Sequence, residues 1–552
     1  MVKKRNIVAV LLVLVLGLIV VGCGEDEADV SVEGLTQVPE VTMYTTTAEY
    51  DPVRYEAAFM VAENWEELGV EVNVRPLEFN SLIERVFDAE EKDFNAFILG
   101  WSGRIERLDP DMFLYSNFHS SQDMPGGNNA YGYFSEEYDQ LAEAQREEME
   151  IEERQKIVHE LQDMLAEDIP KIALYYRDEY QAYNHERFDN FTVMPGEGIY
   201  NEWTPVEIEP LTDDTVLEIA STQDLDTLNP MTAQTVWEWK LLRLVYDKLV
   251  RLSPDVEPTP SAAEDWEIVD DVTVDVTLRD GMDFHDGEAV TVDDVKFTFD
   301  YMLEWGVPYF DTFLNPVDSV EVVADNVVRF NLVEPYAPFI TNTLAQIPIL
   351  PEHIWSDVVD GEEITHPDEW DNPEPIGSGP FKFEYWRRGE EIKLAANEDH
   401  FTPPKIDGLL QVLYGHAEGV LGALEQGDAD MNAWRFEPLH IEQVRELDHL
   451  TLTEAPDIGY YYTGFNLREA PFDNHDFRKA MAHTVDYDTI IDALIHGYGQ
   501  AGGAGAVLSP ANEFWANPDM ASYEFDLERA REILEEAGYT WDSTGRLYLP
   551  EE

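Results

Sequence analysis

Two rhythms of apolar and polar positions alternate along the first third of the chain. In DPVRYEAAFMVAENWEELG (51–69), Phe59, Ala62, Trp65 and Leu68 recur at helical spacing, and Gly69 supplies a stop. VEVNVRPLEF (70–79) alternates with the two-residue period of a strand. NSLIERVFDAEEKD (80–93) returns to a helical period, and FNAFILGW (94–101) is a continuous apolar run of the kind that forms a buried strand. Strand, helix and strand in this order predict α/β layers on a mostly parallel sheet. The pattern predicts a helix from about Glu136 to Glu167, ended by Pro170, and a further strand in KIALYYRDEYQAYN (171–184). TPVEIEPLTDD (204–214) is rich in proline and acid and reads as a linker, and the strand TVLEIAS (215–221) after it looks like a fresh beginning. Residues 258–371 are strand-rich with a helix near Val292 to Tyr301, and 376–465 return to α/β character. Arg546 to Pro550 reads as the start of a strand, with Leu547 and Leu549 on one face and Tyr548 on the other.

Composition makes the chain globular and charge makes it unusual. At 552 residues two to four domains are expected, and an apolar share of 44% is ample for their cores. Against 35 basic residues stand 114 acidic ones, a net charge of −79 spread through every segment. Aromatics at 12% argue against disorder, and such a surface repels nucleic acid. Adaptation to high salt accounts for it. At about 1 M salt the Debye length falls to roughly 3 Å, so the carboxylates stop repelling one another at range.

The N-terminus changes the compartment. Lys3, Lys4 and Arg5 precede an apolar run, Ile7 to Val21, that is shorter than the ~20 residues needed to span a bilayer. Val20, Val21 and Gly22 then precede Cys23, the one cysteine of the chain. Residues 1–22 read as a secretory signal that resembles the bacterial lipoprotein kind, with lipidation expected at Cys23. An extracytoplasmic protein held to the outer face of the cytoplasmic membrane is expected, with no disulfide and no cysteine metal site. Residues 23–37 form an acidic tether.

Catalytic motifs do not emerge. There is no H-E-x-x-H, no G-x-S-x-G and no phosphate-binding glycine loop. Gly377-Ser378-Gly379 has the wrong spacing for a nucleophile elbow. Asp428, Asp430 and Asn432 begin like a calcium loop, which then fails at Ala433 and Leu439. No catalytic residue, metal or cofactor is assigned, and an extracytoplasmic hydrolase stays open only as an alternative.

A family becomes visible in LRDGMDFHDGEAVTVDDVKFTFDYML (278–303). It resembles the signature of the peptide/nickel/opine class of extracellular solute-binding proteins of ABC transporters, with Leu278, Arg279, Gly281, Phe284, His285, Asp286, Gly287, Thr291, Asp294, Val295 and Phe297 in register. The physics of the stretch is structural: Asp286-Gly287 suits a tight turn, Thr291 an N-cap, and His285 a satisfied turn position. PSAAEDWEI, PIGSGPFKFEYWRRGEEIKLAANEDHF and YYYTGFNLREAPFDNHDFRKAMAHTVDYDTII look like further blocks. Their order is shifted, since the blocks found here at 41–204 come last in the family. The resemblance therefore implies a circularly permuted α/β fold, a periplasmic-binding-protein-like two-lobe clamshell with an extra domain on lobe I. GRLYLPEE and LTQVPEVTMYTTT would be two arms of one opened hairpin, and the old termini would be joined through 204–214. The implied division gives lobe III at 38–184 and 466–552, lobe I at 185–257 and 372–465, and the extra domain at 258–371.

The same resemblance implies hinge closure around a small-molecule or oligopeptide ligand, delivery to ABC permease subunits, and a monomer. An oligosaccharide or a carboxylate ligand, and a sensor without a transporter, remain alternatives. Ligand contacts are carried over to Gln234, Thr235 and Val236, and to the loop GWSGR with Trp101, Ser102 and Arg104. In peptide-binding members the tryptophan is followed three positions later by an aspartate that holds the peptide amine, whereas Trp101 is followed by Arg104. A guanidinium suits a carboxylate or a hydroxyl-rich ligand, unless it pairs with Asp109 or Asp111 in its own loop. Trp237, Trp239, Trp434, Tyr460, Tyr461 and Tyr462 are aromatic candidates for the cleft.

Overall fold

A computed structural model describes residue 32 and residues 34–551. The leader, Cys23 and most of the tether lie outside the described residues, and among those described no helix is long and apolar enough to cross a membrane. Twelve strands form one sheet. In chain order they are β1 (Val41–Thr46), β2 (Val72–Leu77), β3 (Ala96–Trp101), β4 (Lys171–Asn184), β5 (Val216–Ser221), β6 (Phe381–Arg387), β7 (Glu391–Ala396), β8 (Gly408–Leu413), β9 (Met431–Asn432), β10 (Leu450–Pro456), β11 (Tyr460–Phe465) and β12 (Gly499–Ala504). Their spatial order is β6-β7-β8-β5-β9-β4-β11-β3-β1-β2, with β10 and β12 also paired to β4.

Strand β4 belongs to both halves of this sheet. Its first half, up to Arg177, pairs with β11 and β12, while Asp178 to Asn184 pair with β10. The chain crosses between the halves in the middle of β4 and again at residues 457–459, between β10 and β11. The strand pairing thus changes near 177 and 459, whereas the sequence reading divides the lobes at 184 and 465. An alternating pattern marks a strand but is silent about which neighbour it pairs with.

In lobe III, helix α1 (Pro52–Glu67) is capped by Asp51, whose carboxylate accepts from the Arg54 amide at 2.9 Å. Ala57, Val61 and Trp65 bury against β1 and β11, while Phe59, expected in the stripe, is 40% exposed. The helix turns its alanine-rich side to the sheet, so the larger ring faces out. The expected helix from Glu136 to Glu167 is two: α2 (Glu136–Glu147) and α3 (Ile151–Asp168). No glycine or proline announces the break, which lets Arg154 donate to the Gln145 carbonyl at 2.9 Å and pair with Asp109 at 2.6 Å.

Lobe I packs α4 (Val236–Val245) into a core that runs without interruption into the extra domain. That domain is a four-stranded antiparallel sheet in the order Ala263–Asp270, Thr273–Leu278, Val327–Leu332, Val317–Ala324. Helix α5 (Val292–Trp305) opens on Thr291 and Asp294, which cap each other reciprocally. His285 accepts from the Gly377 amide at 3.3 Å and donates to the Gly379 carbonyl at 3.0 Å. Burial pushes its pKa down to about 4, as befits a neutral turn residue.

The segment 204–214 is only partly the linker its composition suggests. Thr204–Glu207 makes a helical turn with Pro205 and Val206 buried, and Ile208 is fully enclosed. Glu209 and Leu211 to Asp214 are exposed. At the other end of the chain, Leu547–Tyr548 pairs with Thr540–Trp541. Tyr548 also stands opposite Gln37, with the Val38 amide donating to the Leu547 carbonyl at 2.9 Å. The contact is made by residues 36–38, just ahead of β1, which itself pairs with β2 and β3.

Candidate functional site

Parallel strands present their C-terminal ends, and the loops that leave them, to the crevice between layers. In lobe III these loops are 47–51 after β1 and 102–110 after β3; in lobe I they are 222–235 after β5 and 433–437 after β9. The lobes meet along this line. Ile105 and Leu108 from the β3 loop pack into the lobe I core beside Met194 and Ile458. Arg146 of α2 lies over the rings of Tyr115 at 4.2 Å and Tyr336 at 5.0 Å, and its carbonyl accepts from the Ala337 amide at 2.7 Å.

The residues singled out in the sequence divide into two groups. Trp101 ends β3 and packs on Phe87 and Phe113, and Ser102 and Arg104 open the loop that follows. Trp101 closes β3 with Arg107 4.8 Å above its ring, and Ser102 accepts from Arg107 through its carbonyl and its hydroxyl, the latter at 3.1 Å. Arg104 is half-buried, its Nε is enclosed without a hydrogen-bond partner, and its guanidinium makes no ion pair among the described residues. Of the acids that follow it, Asp109 is held by Arg154 at 2.6 Å and Asp111 by Arg146 at 3.3 Å. In lobe I, Trp237 and Trp434, both half-buried, stand 5.1 Å apart at 55°. A cavity of about 100 Å³ opens behind Trp434, lined by Ala220, Val420, Phe436 and Glu437.

The rest serve structure. Thr235 and Glu238 form the capping box of α4, Gln234 is exposed beside it, and Val236 and Trp239 are buried. Tyr460, Tyr461 and Tyr462 alternate across β11, so two of them face one core and one the other. Tyr460 and Tyr462 surround Lys171 instead of a crevice. The strand period forces this: three consecutive strand residues cannot share a face. Tyr461 stacks on Tyr175 at 4.6 Å, and its hydroxyl accepts from Arg435 at 2.7 Å.

Arg435 leads to what the sequence did not reveal. Its Nη1 contacts Glu179 Oε1 at 2.5 Å and Asp457 Oδ2 at 3.1 Å, so one guanidinium ties both crossing segments together. Asp457 also accepts from the Gly459 amide at 2.8 Å, and its carbonyl accepts from Ser509 Oγ at 2.7 Å. Beside this group Arg177 pairs with Glu437 at 3.1 Å. The signal for such a cluster is burial of charge, which a chain carrying 114 acids hides. A hollow of about 440 Å³ lies elsewhere, beside Lys92 and Arg468. Lys92 there donates to the Val86 and Phe87 carbonyls, and Arg468 pairs with Asp123, so its cations are satisfied. Among the described residues no group of His, Cys, Asp and Glu is placed to hold a metal ion.

Comparison with known proteins agrees with this architecture. The chain matches the bacterial extracellular solute-binding proteins, family 5 Middle, over residues 25–125 and 257–551, more than half its length. It is 29% identical over 309 residues to the oligopeptide-binding protein AppA of Bacillus subtilis, covering 54% of each chain. It is 27% identical over 315 residues to the dipeptide-binding protein of Escherichia coli, covering 53% of this chain and 58% of that one. The chain thus spans about half the length of the curated relatives it matches. Among solved structures, the ABC transporter substrate-binding protein CtaP of Listeria monocytogenes superposes with a TM-score of 0.50 at 26% identity, covering 60% of this chain and 66% of that one.

Proposed function

Because the chain belongs to the bacterial extracellular solute-binding proteins, family 5, we propose that it is the receptor of an ABC importer, capturing a small polar, peptide-like solute between its lobes and handing it to the permease. The observation that carries this is the crevice itself. Two half-sheets joined through β4 and residues 457–459 meet where the β3 loop, which carries Arg104, packs against lobe I, which bears the Trp237–Trp434 pair. Such a joint rotates about a few backbone positions and closes on what lies between. Closure and release need differential affinity alone, with no bond made or broken. Lipidation of Cys23, a monomeric state and a high-salt setting complete the reading.

Arg104 narrows the solute. With Asp109 and Asp111 engaged by other arginines, Arg104 is ready for an acceptor on the ligand, and a guanidinium meets a carboxylate with two parallel hydrogen bonds. Native mass spectrometry of the full chain purified in concentrated salt identifies any co-purified solute. Titrating tryptophan fluorescence with a tripeptide and its C-terminally amidated and N-acetylated forms then tests the polarity. Amidation should weaken binding by about 10- to 100-fold, the worth of a charge-assisted hydrogen bond of about 1.5–3 kcal/mol, and Arg104→Glu should do the same. Tight binding that depends on a free amine and survives Arg104→Glu would overturn this assignment.

We also propose that the order of blocks is circularly permuted. The support is that linear alignments follow one run of about half of each chain, and that Gln37 and Tyr548 are neighbours. A chain relinked by a short turn between residues 551 and 34, and reopened at exposed Thr212–Asp213, should keep the same far-ultraviolet dichroism and unfold within about 1 kcal/mol of the parent, the tolerance expected at exposed tips. An insoluble or unfolded product would count against permutation.

A further inference from the structure

The joint between the lobes is built from acids. On the paired ends of β4 and β10, Asp178 faces Pro456, Glu179 faces Ala455, and Glu454 faces Tyr180. Asp457 stands in the connector that follows. Arg435, from lobe I, is the group that reaches both crossing segments, and the side chains of Arg435, Glu179 and Asp457 are 5%, 4% and 1% exposed. Two carboxylates on one guanidinium nitrogen, shut away from water, leave one negative charge in excess. The surroundings do not cancel it. Arg177 is engaged by Glu437 at 3.1 Å, Arg54 by Asp51 at 3.5 Å, and Tyr461 already accepts from Arg435 while Tyr175 stacks on its other side.

Segments of both lobes lie against Asp457. The β3 loop passes so close that a Cβ on Gly103 would lie 2.0 Å from Asp457 Oδ1 and 2.8 Å from the Cα of Gly196, on the lobe I side. Gly459 is as tightly placed, 2.0 Å from the Trp101 carbonyl by the same measure. Three backbone segments without side chains thus close over one carboxylate, and they belong to different lobes.

We propose that approach of the two lobes is coupled to uptake of one proton by the hinge carboxylates, with Arg435 as the positioning residue that holds both crossing segments. The proton comes from solvent and bonds to the Asp457 carboxylate, while Glu179 stays on Arg435; no other bond changes. The electrostatics agree. Burial first, and then the charge of Glu179, push Asp457 up to about 7 against the pull of Arg435. Asp178 alongside rises to about 6 through burial, Glu454 and Glu179. With the lobes apart, Asp457 regains water and an ordinary carboxylate pKa. The closed state therefore binds more protons between the ordinary value and about 7. Closure strengthens as pH falls through 7 and weakens above it. The coupling rests on the two-lobe architecture and not on the identity of the solute.

The test uses the full chain with Cys23→Ser and a donor–acceptor dye pair on Glu90→Cys and Asp213→Cys, exposed positions on lobe III and lobe I. Energy transfer is read without ligand from pH 5.5 to 8.5 at constant high salt. Transfer should differ between the two limits with a midpoint near 7, the closed state at the acid end. Asp457→Asn, which carries the neutral form permanently, should hold the acid value throughout, and Glu179→Gln, which removes the excess charge from the other strand, should do likewise. A parent with no pH response, or one whose response persists unchanged in both variants, overturns the proposal. If the flat parent nevertheless closes on a bound tripeptide, proton coupling alone falls; if it moves with neither, hinge closure falls with it.

Discussion

Arg435→Ala should cost about 3–5 kcal/mol of stability at pH 8, the range measured when one partner of a buried ion pair is removed. The loss follows from what stays behind. Glu179 and Asp457 remain enclosed with side chains 4% and 1% exposed, and the Tyr461 hydroxyl loses its 2.7 Å donor. The nearest other cation, Arg177, is already held by Glu437. Acid should rescue the variant in part. Asp457 has its folded pKa raised, so its penalty is present above about 7 and is relieved as pH falls through that value. Urea denaturation at pH 8 and at pH 5.5 checks both statements: the deficit should shrink at the lower pH. Arg435→Lys keeps the charge but cannot fork to three acceptors, and should recover less than half of the loss. An equal deficit at both pH values would show that packing, not charge, is what Arg435 supplies.

Lys171→Met should act in the opposite direction and raise stability by about 1–4 kcal/mol, as replacement of buried ionic groups by well-packed apolar ones does. Lys171 is fully buried at the start of β4, and no acid reaches its ammonium. It donates to the Tyr460 hydroxyl and sits among the rings of Phe118, Tyr131, Tyr460 and Tyr462 at 4.5–5.7 Å. Ring faces return about 0.5–2 kcal/mol to a cation, less than burial costs it. Burial therefore holds the lysine pKa well below its usual value. A depressed folded pKa means stability is intact above the ordinary lysine value and is lost as pH falls toward the folded one. At neutral pH the native chain carries that loss. Methionine has similar length and no charge, so urea denaturation from pH 7 to 10.5 should give a flatter profile for the variant than for the parent. A variant less stable than its parent at pH 7 would mean that the aromatic cage, and not its desolvation, dominates.

Layering and family were legible in the chain because they rest on local signals. A two-residue alternation marks β2, a continuous apolar run β3 and a helical period α1, and Thr291 marks the start of α5 as an N-cap. The family blocks are equally local. What escaped notice depends on distance along the chain. Glu179 and Arg435 are 256 positions apart, and each is an ordinary charged residue until a fold buries it. Side choice escaped as well: α1 offers an apolar stripe through Phe59 and another through Ala57, Val61 and Trp65, and only the sheet beneath selects the second. Among the large rings beside strand ends, Trp237 and Trp434 are half-buried while Tyr460 is enclosed, because ring size does not say which face of a strand a side chain takes.

The double membership of β4 has a mechanical meaning. The two halves do not abut like separate blocks; they share a beam, and a rotation that parts them is taken up as torsion in the peptide units about Arg177 and Asp178, with residues 457–459 as the parallel spring. Neither half can be excised without stripping a central strand from the other, which makes the pair a single mechanical unit.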